Sequence, residues 1–293
     1  MRVLTAAVLA AAMMTGSAQA AAREEVTVST GWLAGRLKDP DLVLLHVGEE
    51  GEYKAGHIPG ARFIRQTDLA ADTGGRSLEM LSAADLRTKL QAMGVTDRSK
   101  VVVYFGKDWV SPATRVLFTL NAAGLGGRAD LLDGGMAKWK REGGAVTREA
   151  PAPASPGALA AFQLKPTVVD AAFVKAHAGQ PGYALIDARA QVFYDGRTPS
   201  GAHGHTQRGH IPGAHSVPFT SVTNDDLTLK SPEALAGLFQ KAGLKPGDKA
   251  IVYCHIGQQG TAVVFAARAA GVDAVLYDGS FEDWTLRDLP VER

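Results

Sequence analysis

Residues Ala250–Ala270 read AIVYCHIGQQGTAVVFAARAA, an apolar run followed by a polar loop and an alanine-rich segment. The run Ala250–Tyr253 has the length and composition of a buried strand. Cys254 comes next, and after a short loop the segment Thr261–Ala270 predicts a helix that ends at Gly271. The stretch therefore predicts that a strand delivers a thiol to the N-terminal end of a helix, as in an α/β domain.

A thiol in this position has the surroundings of a nucleophile. The first N–H groups of a helix are unpaired and carry partial positive charge, so they stabilise anions such as a thiolate. Gly257 and Gly260 allow the loop to curl so that several N–H groups point at one atom. Cys254 is the only cysteine of the chain, so it forms no intramolecular disulfide. A reactive site is favoured over an inert core cysteine or an intermolecular disulfide.

Length and composition describe an ordinary globular protein with about two domains. The chain has 293 residues, of which 46% are hydrophobic and 21% charged, and its formal net charge is +1. This near-zero net charge does not indicate binding to nucleic acid or to an anionic membrane.

The first twenty residues have the pattern of a secretory signal peptide. Arg2 precedes the apolar run Val3–Met14, and Ala18-Gln19-Ala20 is a small-x-small cleavage pattern. A retained anchor or a disordered tail is the alternative, although the apolar run is short for a membrane span. We expect residues 1–20 to be removed and the mature protein to be exported to a periplasm, with no membrane attachment after cleavage.

Four blocks of the first half recur in the second half in the same order. They are Val43–Gly48 with Ala184–Arg189, Gly56–Ala61 with Gly209–Ala214 (both GHIPGA), Val101–Phe105 with Ala250–Cys254, and Asp133–Trp139 with Asp278–Trp284. The chain therefore contains two copies of one α/β domain. Because strands alternate with helices, each copy is predicted to be a mostly parallel sheet with helices on both faces.

The Pro-rich segment Ala150–Ala158 separates the copies and reads as an extended linker. We predict a first domain at residues 24–148, a linker at 149–160 and a second domain at 161–293. The first domain has Phe105 in the place of Cys254, so it is predicted to be the inactive copy and the second domain the catalytic copy.

On these blocks, and on the strand, cysteine and six-residue loop, the chain resembles the rhodanese family, specifically its tandem-domain sulfurtransferases. The resemblance implies that Cys254 takes a sulfane sulfur from a small-molecule donor and holds it as a persulfide. It then passes the sulfur to a thiophilic acceptor such as cyanide or a thiol, with no cofactor.

The site residues follow from the loop and from the neighbouring strand ends. Cys254 is the predicted catalytic residue. The predicted substrate-binding residues are His255, Ile256, Gly257, Gln258, Gln259 and Arg189. For Arg189, a structural ion pair with Asp187 is an equal alternative. His57 and His210 occur in both copies, so a structural role is favoured for them over a catalytic one.

The sulfur donor stays open between two classes. Thiosulfate-using members of the family carry basic residues in the cysteine loop, where this chain has His255 and Ile256. Mercaptopyruvate-using members resemble Cys-Gly-Ser-Gly-Val-Thr, from which this loop also departs. We predict thiosulfate first and 3-mercaptopyruvate second. The positive charge for the donor would come from one or more of Arg189, Arg197, Arg208, His203, His205 and His255.

Other functions fit the residues less well. A cysteine phosphatase needs an arginine six residues after the cysteine, where this chain has Gly260. A thioredoxin-like enzyme needs a second cysteine. The pair His203 and His205 has glycine spacing and no evident carboxylate or thiolate partner, so no metal is predicted. A persulfide carrier or sensor with little turnover is the non-enzymatic alternative.

Overall fold

The computed structural model describes residues 26–107, 110–160, 162–200 and 206–293. The predicted signal peptide and the pair His203 and His205 lie outside the described residues. The described part of the chain contains no helix with the length and hydropathy needed to cross a bilayer.

The first copy contains seven strands and five α-helices among its described residues. Its strands are β1 (Thr27–Val28), β2 (Leu42–Val47), β3 (Arg62–Ile64), β4 (Ala70–Thr73), β5 (Arg76–Met80), β6 (Lys100–Phe105) and β7 (Ala129–Leu132). Its helices are α1 (Thr30–Ala34), α2 (Glu50–Ala55), α3 (Ala83–Ala92), α4 (Ser111–Leu120) and α5 (Gly135–Arg141).

The second copy repeats this order without a counterpart of the β4–β5 hairpin among its described strands. Its strands are β8 (Val168–Val169), β9 (Tyr183–Asp187), β10 (Ala214–Ser216), β11 (Lys249–Tyr253) and β12 (Ala274–Tyr277). Its helices are α6 (Ala171–His177), α7 (Gln191–Tyr194), α8 (Pro232–Lys241), α9 (Gln259–Ala269) and α10 (Ser280–Leu286).

Each copy is built on a five-stranded parallel sheet, and the two sheets have the same strand order. The first sheet is ordered β1-β7-β6-β2-β3, and the second, read from its opposite edge, is β8-β12-β11-β9-β10. Every pairing within the two sheets is parallel. The predicted fold class is confirmed. The central strands are buried on both faces, which explains their continuous apolar runs.

The start of one helix differs slightly from the prediction, and another helix ends in an irregular turn. Helix α9 begins at Gln259, two residues earlier than predicted, because the polar end of the loop already adopts helical geometry. Helix α4 ends at Leu120 and continues as a π-turn over Asn121–Leu125, in which Gly124 has a φ of 85°. Gly124 therefore interrupts the regular helical geometry of this apolar segment.

The two copies pack through α4 and α9, the helices that follow the equivalent strands β6 and β11. Apolar side chains of both helices belong to one buried cluster, including Val116 and Leu117 of α4 and Val264 and Phe265 of α9. The thiol-bearing loop precedes α9, so this packing brings the first copy beside that loop.

Candidate active site

Cys254 lies between β11 and α9 and has no exposed surface. Gln258 is the N-cap of α9, so the N–H of Gly260 is one of the first N–H groups of the helix. The predicted arrangement of a strand, a thiol and a helix N-terminus is therefore present.

The sulfur is surrounded by hydrogen-bond donors. Burial raises the pKa of the Cys254 thiol, because the anion loses its water. The N–H groups of Gly260, Ile256 and Gly257 act in the opposite direction, because they stabilise the thiolate. The pKa stays above its ordinary value, so the resting thiol is protonated at neutral pH and the donors stabilise the anion when it forms.

Ser280 organises this cradle, although the sequence did not single it out. Its Oγ accepts hydrogen bonds from the backbone N of Cys254 at 3.1 Å and of Gly257 at 3.0 Å, and it donates to the Tyr277 carbonyl at 2.8 Å. Its φ of 54° is left-handed, an uncommon conformation for a residue with a side chain. The available signal was the difference between Asp278-Gly279-Ser280 and the matching Asp133-Gly134-Gly135.

The surroundings of His255 keep its imidazole uncharged. Its Nδ1 lies 2.7 Å from the Ser200 Oγ, and the Phe193 ring meets its imidazole edge to face at 4.6 Å. Burial, followed by the charge of Arg189, lowers the pKa of His255 to about 4. The imidazole is therefore neutral at pH 7, which corrects the expectation that His255 supplies positive charge. Donor binding by His255 in its neutral form stays a prediction.

Arg189 and Asp187 form a buried ion pair. The Arg189 Nη2 lies 2.6 Å from the Asp187 Oδ2, and it also donates to the Gly209 carbonyl at 2.8 Å. The Tyr253 hydroxyl donates to the same Asp187 oxygen at 2.8 Å. This is the structural pairing that the sequence left as an alternative for Arg189. Its binding of the donor stays a prediction.

The remaining predicted loop residues have different surroundings. Ile256 and Gln259 are partly buried, and the Gln259 Oε1 has no hydrogen-bond partner among the described residues. The Gln258 amide contacts the first copy, because its Nε2 donates to the Ser111 Oγ and its Oε1 accepts from the Gln66 Nε2, each at 3.3 Å. Gln258 therefore joins the loop to the other domain.

The paired histidines have equivalent structural contacts in the two copies. The His57 Nδ1 lies 2.8 Å from the Tyr53 carbonyl, and the His210 Nδ1 lies 2.9 Å from the Tyr194 carbonyl. Each imidazole also stacks on the tyrosine ring of the same partner. These repeated contacts support the structural role favoured from the sequence.

The comparison with protein families decides the family. The rhodanese-like domain matches residues 29–142 and again residues 170–287. The chain belongs to the rhodanese family. It is a rhodanese with two tandem domains, as the resemblance of its motifs indicated.

Curated relatives extend over most of the chain. A probable 3-mercaptopyruvate sulfurtransferase of Pseudomonas aeruginosa is 35% identical over 268 residues, which cover 86% of this chain and 92% of the relative. A putative thiosulfate sulfurtransferase of Saccharopolyspora erythraea is 30% identical, covering 92% of this chain and 97% of the relative. This rhodanese is accordingly a sulfurtransferase enzyme, and its relatives divide between two sulfur donors.

Solved structures agree on the fold. The crystal structure of YnjE superposes with a TM-score of 0.82 at 22% identity, covering 92% of this chain and 69% of that chain. At this identity the likeness shows that the tandem architecture is shared.

Proposed function

We propose that this rhodanese transfers a sulfane sulfur from thiosulfate to a thiophilic acceptor, such as cyanide or a thiol, through a persulfide on Cys254. The observation that carries the proposal is the position of the only thiol at the start of α9, among the N–H groups of Ile256, Gly257 and Gly260. Donors in this arrangement stabilise an anion on sulfur.

The reaction divides into two displacements at sulfur. The Cys254 thiolate attacks the sulfane sulfur of thiosulfate, an S–S bond forms, and sulfite leaves with the electron pair of the broken bond. The acceptor then attacks the outer sulfur of the persulfide. With cyanide the products are thiocyanate and the regenerated thiolate. Because burial raises the pKa of Cys254, the thiol must lose its proton before the first step.

The charges around the site favour 3-mercaptopyruvate as a second candidate donor. Arg189 is paired with Asp187, and His255 is neutral at pH 7. These two described residues therefore offer little net positive charge to the thiosulfate dianion. A monoanionic carboxylate needs less compensation, and the Pseudomonas relative is named for this donor.

A steady-state assay tests the proposal and separates the donors. We expect repeated turnovers of thiosulfate and cyanide to thiocyanate, with no turnover by the Cys254→Ser variant. Turnover with 3-mercaptopyruvate but not with thiosulfate would replace the donor and retain the persulfide. A single equivalent of product per enzyme with either donor would contradict catalytic turnover and favour the carrier.

We also propose that the enzyme is exported to the periplasm after removal of residues 1–20. The support is the charged start, the apolar run and the small-x-small pattern of the N-terminal sequence. N-terminal sequencing of the protein from a periplasmic fraction should begin at Ala21. An intact Met1 in a cytoplasmic fraction would contradict export.

A further inference from the structure

One face of α4, a helix of the copy without the thiol, contacts the thiol-bearing loop and the first turn of α9. Ser111, Thr114 and Arg115 have the spacing that places helical side chains on one face. The Ser111 Oγ accepts from the Gln258 amide at 3.3 Å, and the Thr114 hydroxyl lies 3.0 Å from the Thr261 hydroxyl. Helix α4 therefore forms one wall of the region that holds the loop.

Arg115 makes the most extensive of these contacts. It is 1% exposed, and its Nη1 donates to the Gly257 carbonyl at 3.2 Å. Both terminal nitrogens contact the Asp278 carboxylate, with Nη2 lying 3.1 Å from Oδ2. Nη2 also donates to the Leu78 carbonyl. One guanidinium thus connects the first copy, the catalytic loop and the turn before α10.

Arg115 contacts two segments that surround the sulfur: Gly257 lies three residues after Cys254 in the loop, and Asp278 lies two residues before Ser280. The Gly257 N–H belongs to the cradle of Cys254 and also donates to the Ser280 Oγ at 3.0 Å. Gly257 has a φ of 78°, and a Cβ at this position would collide with the Asp278 carboxylate. Arg115 therefore holds the carbonyl of the residue whose N–H faces the sulfur, and Asp278 precedes the serine that orients the loop.

The equivalent position in the first copy lacks this device. Asp133, the counterpart of Asp278, pairs with Lys138 of its own copy at 3.2 Å. A second contact is symmetric between the copies: Asp133 accepts from the Leu229 N–H of the second copy, as Asp278 accepts from the Met80 N–H of the first. The turn of α9 that corresponds to the Arg115 turn of α4 is Thr261–Val264, and it has no charged side chain that could contact the first copy. Among the described residues, this interdomain arginine contact is therefore made to the loop that carries the thiol and not to the equivalent loop of the first copy.

We propose that Arg115 of the non-catalytic copy is a positioning residue for sulfur transfer, which fixes the Gly257 peptide so that the loop N–H groups face the Cys254 sulfur. The inference rests on the proposed function in that Cys254 carries the sulfur. Arg115 would give the first copy a role in the reaction although that copy supplies no reacting group. The contact between the catalytic loop and the first copy would then support catalysis.

Arg115→Lys is the primary variant, because lysine keeps the positive charge in the buried pair. Its ammonium is a single point donor and does not reproduce the planar fork that reaches Gly257, Leu78 and Asp278 together. A neutral substitution of Arg115 alone would leave the Asp278 carboxylate buried without its partner, which is strongly destabilising. If Arg115→Lys does not fold, the double variant Arg115→Met/Asp278→Asn removes both charges and keeps an acceptor for the Met80 N–H.

The control is an arginine that makes an interdomain ion pair at the surface, away from the loop. Arg141 of the first copy lies 3.2 Å from the Asp226 carboxylate of the second, and both side chains are about half exposed. Arg141→Met therefore removes an ion pair between the domains and leaves the catalytic loop untouched.

The first measurement is amide hydrogen exchange of the peptide that contains residues 254–262. We expect at least tenfold faster exchange in Arg115→Lys and wild-type exchange in Arg141→Met. The second is steady-state turnover with the donor that the wild-type enzyme uses. We expect kcat to fall at least tenfold in Arg115→Lys with KM within twofold, because the N–H groups act on the sulfur anion more than on the bound donor.

Wild-type loop exchange and wild-type kcat in a folded Arg115→Lys or double variant would overturn the proposal. The proposal would also be overturned if Arg141→Met changed loop exchange and kcat as much as Arg115→Lys does. The effect would then come from the domain interface in general. Failure of the proposed function would be a different result, because the wild-type enzyme itself would form no persulfide. Hydrogen exchange of the loop could still be compared between the wild-type enzyme and the variants.

Discussion

The two copies place different pairs of side chains at the same point of the same backbone. In the first copy Phe105 ends β6, and a Cβ on Gly135 would lie 2.6 Å from its ring. In the second copy Cys254 follows β11, and Ser280 stands in the place of Gly135. Gly135 and Ser280 have φ values of 53° and 54°. The first copy therefore has a large ring at one position and no side chain at the other. The second copy has a small thiol and a hydroxyl at the same two positions.

The neighbouring strand ends differ in charge as well as in size. The pair Asp187 and Arg189 of the second copy corresponds to His46 and Gly48 of the first. His46 is buried, and its ring nitrogens have no hydrogen-bond partner among the described residues. The first copy has an open pocket of about 460 Å³ at this end of its sheet, and Gly48 is one of the residues that line it. The first copy has kept the scaffold of the site without its thiol or its ion pair.

The largest expected effect follows from removing the one group that the first copy lacks. Cys254→Ser should lower turnover by at least about a thousandfold, because the hydroxyl is a far weaker nucleophile for sulfur at neutral pH. Serine is close to cysteine in volume, so the melting temperature should stay within a few degrees. Turnover and thermal unfolding of the same preparation check both statements. Wild-type turnover by this variant would contradict the proposed mechanism.

Ser280→Gly makes the second copy resemble the first at one position and should have the next largest effect. The N–H groups of Cys254 and Gly257 lose their common acceptor, and a buried unpaired group costs about 1–3 kcal/mol. We expect kcat to fall by about 10- to 100-fold. Glycine favours the left-handed backbone at this position, so part of the stability loss is offset.

Gly135→Ser is the reciprocal control for Ser280→Gly. The new side chain meets the Phe105 ring, so the variant should be destabilised by about 1–3 kcal/mol. Turnover per folded molecule should not change. Equal loss of kcat in Ser280→Gly and Gly135→Ser would show that the serine acts only through stability.

Phe105→Cys tests whether a thiol alone converts the first copy. Replacing a buried ring by a small side chain should cost about 3–5 kcal/mol, because a cavity remains. The first copy still has glycine at position 135 and no arginine at position 48. We expect the variant to hold one transferable sulfur per chain, the number that we also expect for the wild-type enzyme. Two cyanide-labile sulfur atoms per chain would show that the thiol is sufficient.

The same comparison predicts a pH dependence of stability from the first copy. Burial, and then the charges of His57 and Lys140, lower the pKa of His46 to about 4. Below pH 6.5 the unfolded chain binds this proton more readily than the folded one, so stability falls as the pH drops from about 6.5 to 4. The contribution is up to about 3 kcal/mol. Denaturant unfolding of His46→Phe should show a weaker loss over this range, and an unchanged loss would contradict the assignment.

The sequence was sufficient for the fold because the relevant signals are local and repeated. The two GHIPGA blocks and the apolar runs that become β6 and β11 established two parallel-sheet domains. The role of Cys254 could be predicted for the same reason, since a strand, a thiol and a helix start are adjacent in the chain.

Other parts of the site depend on distant contacts that no local pattern contains. Arg115 reaches Asp278 across 163 residues, and within α4 it reads as an ordinary charged helix residue. The neutrality of His255 follows from its burial beside Arg189, which the loop sequence does not show. The sequence signal for Ser280 was that it stands in the place of Gly135 in the first copy. The predicted domain boundaries and the periplasmic location stay predictions.

Intact mass spectrometry after brief exposure to thiosulfate shows whether Cys254 holds the transferred sulfur, with Cys254→Ser treated in parallel. We expect the wild-type enzyme to gain one sulfur atom, cyanide to remove it, and the variant to gain none. A parallel exposure to 3-mercaptopyruvate identifies the donor if thiosulfate gives no gain. Equal sulfur loading of Cys254→Ser and the wild-type enzyme would contradict the account, because the sulfur would then be held elsewhere in the chain.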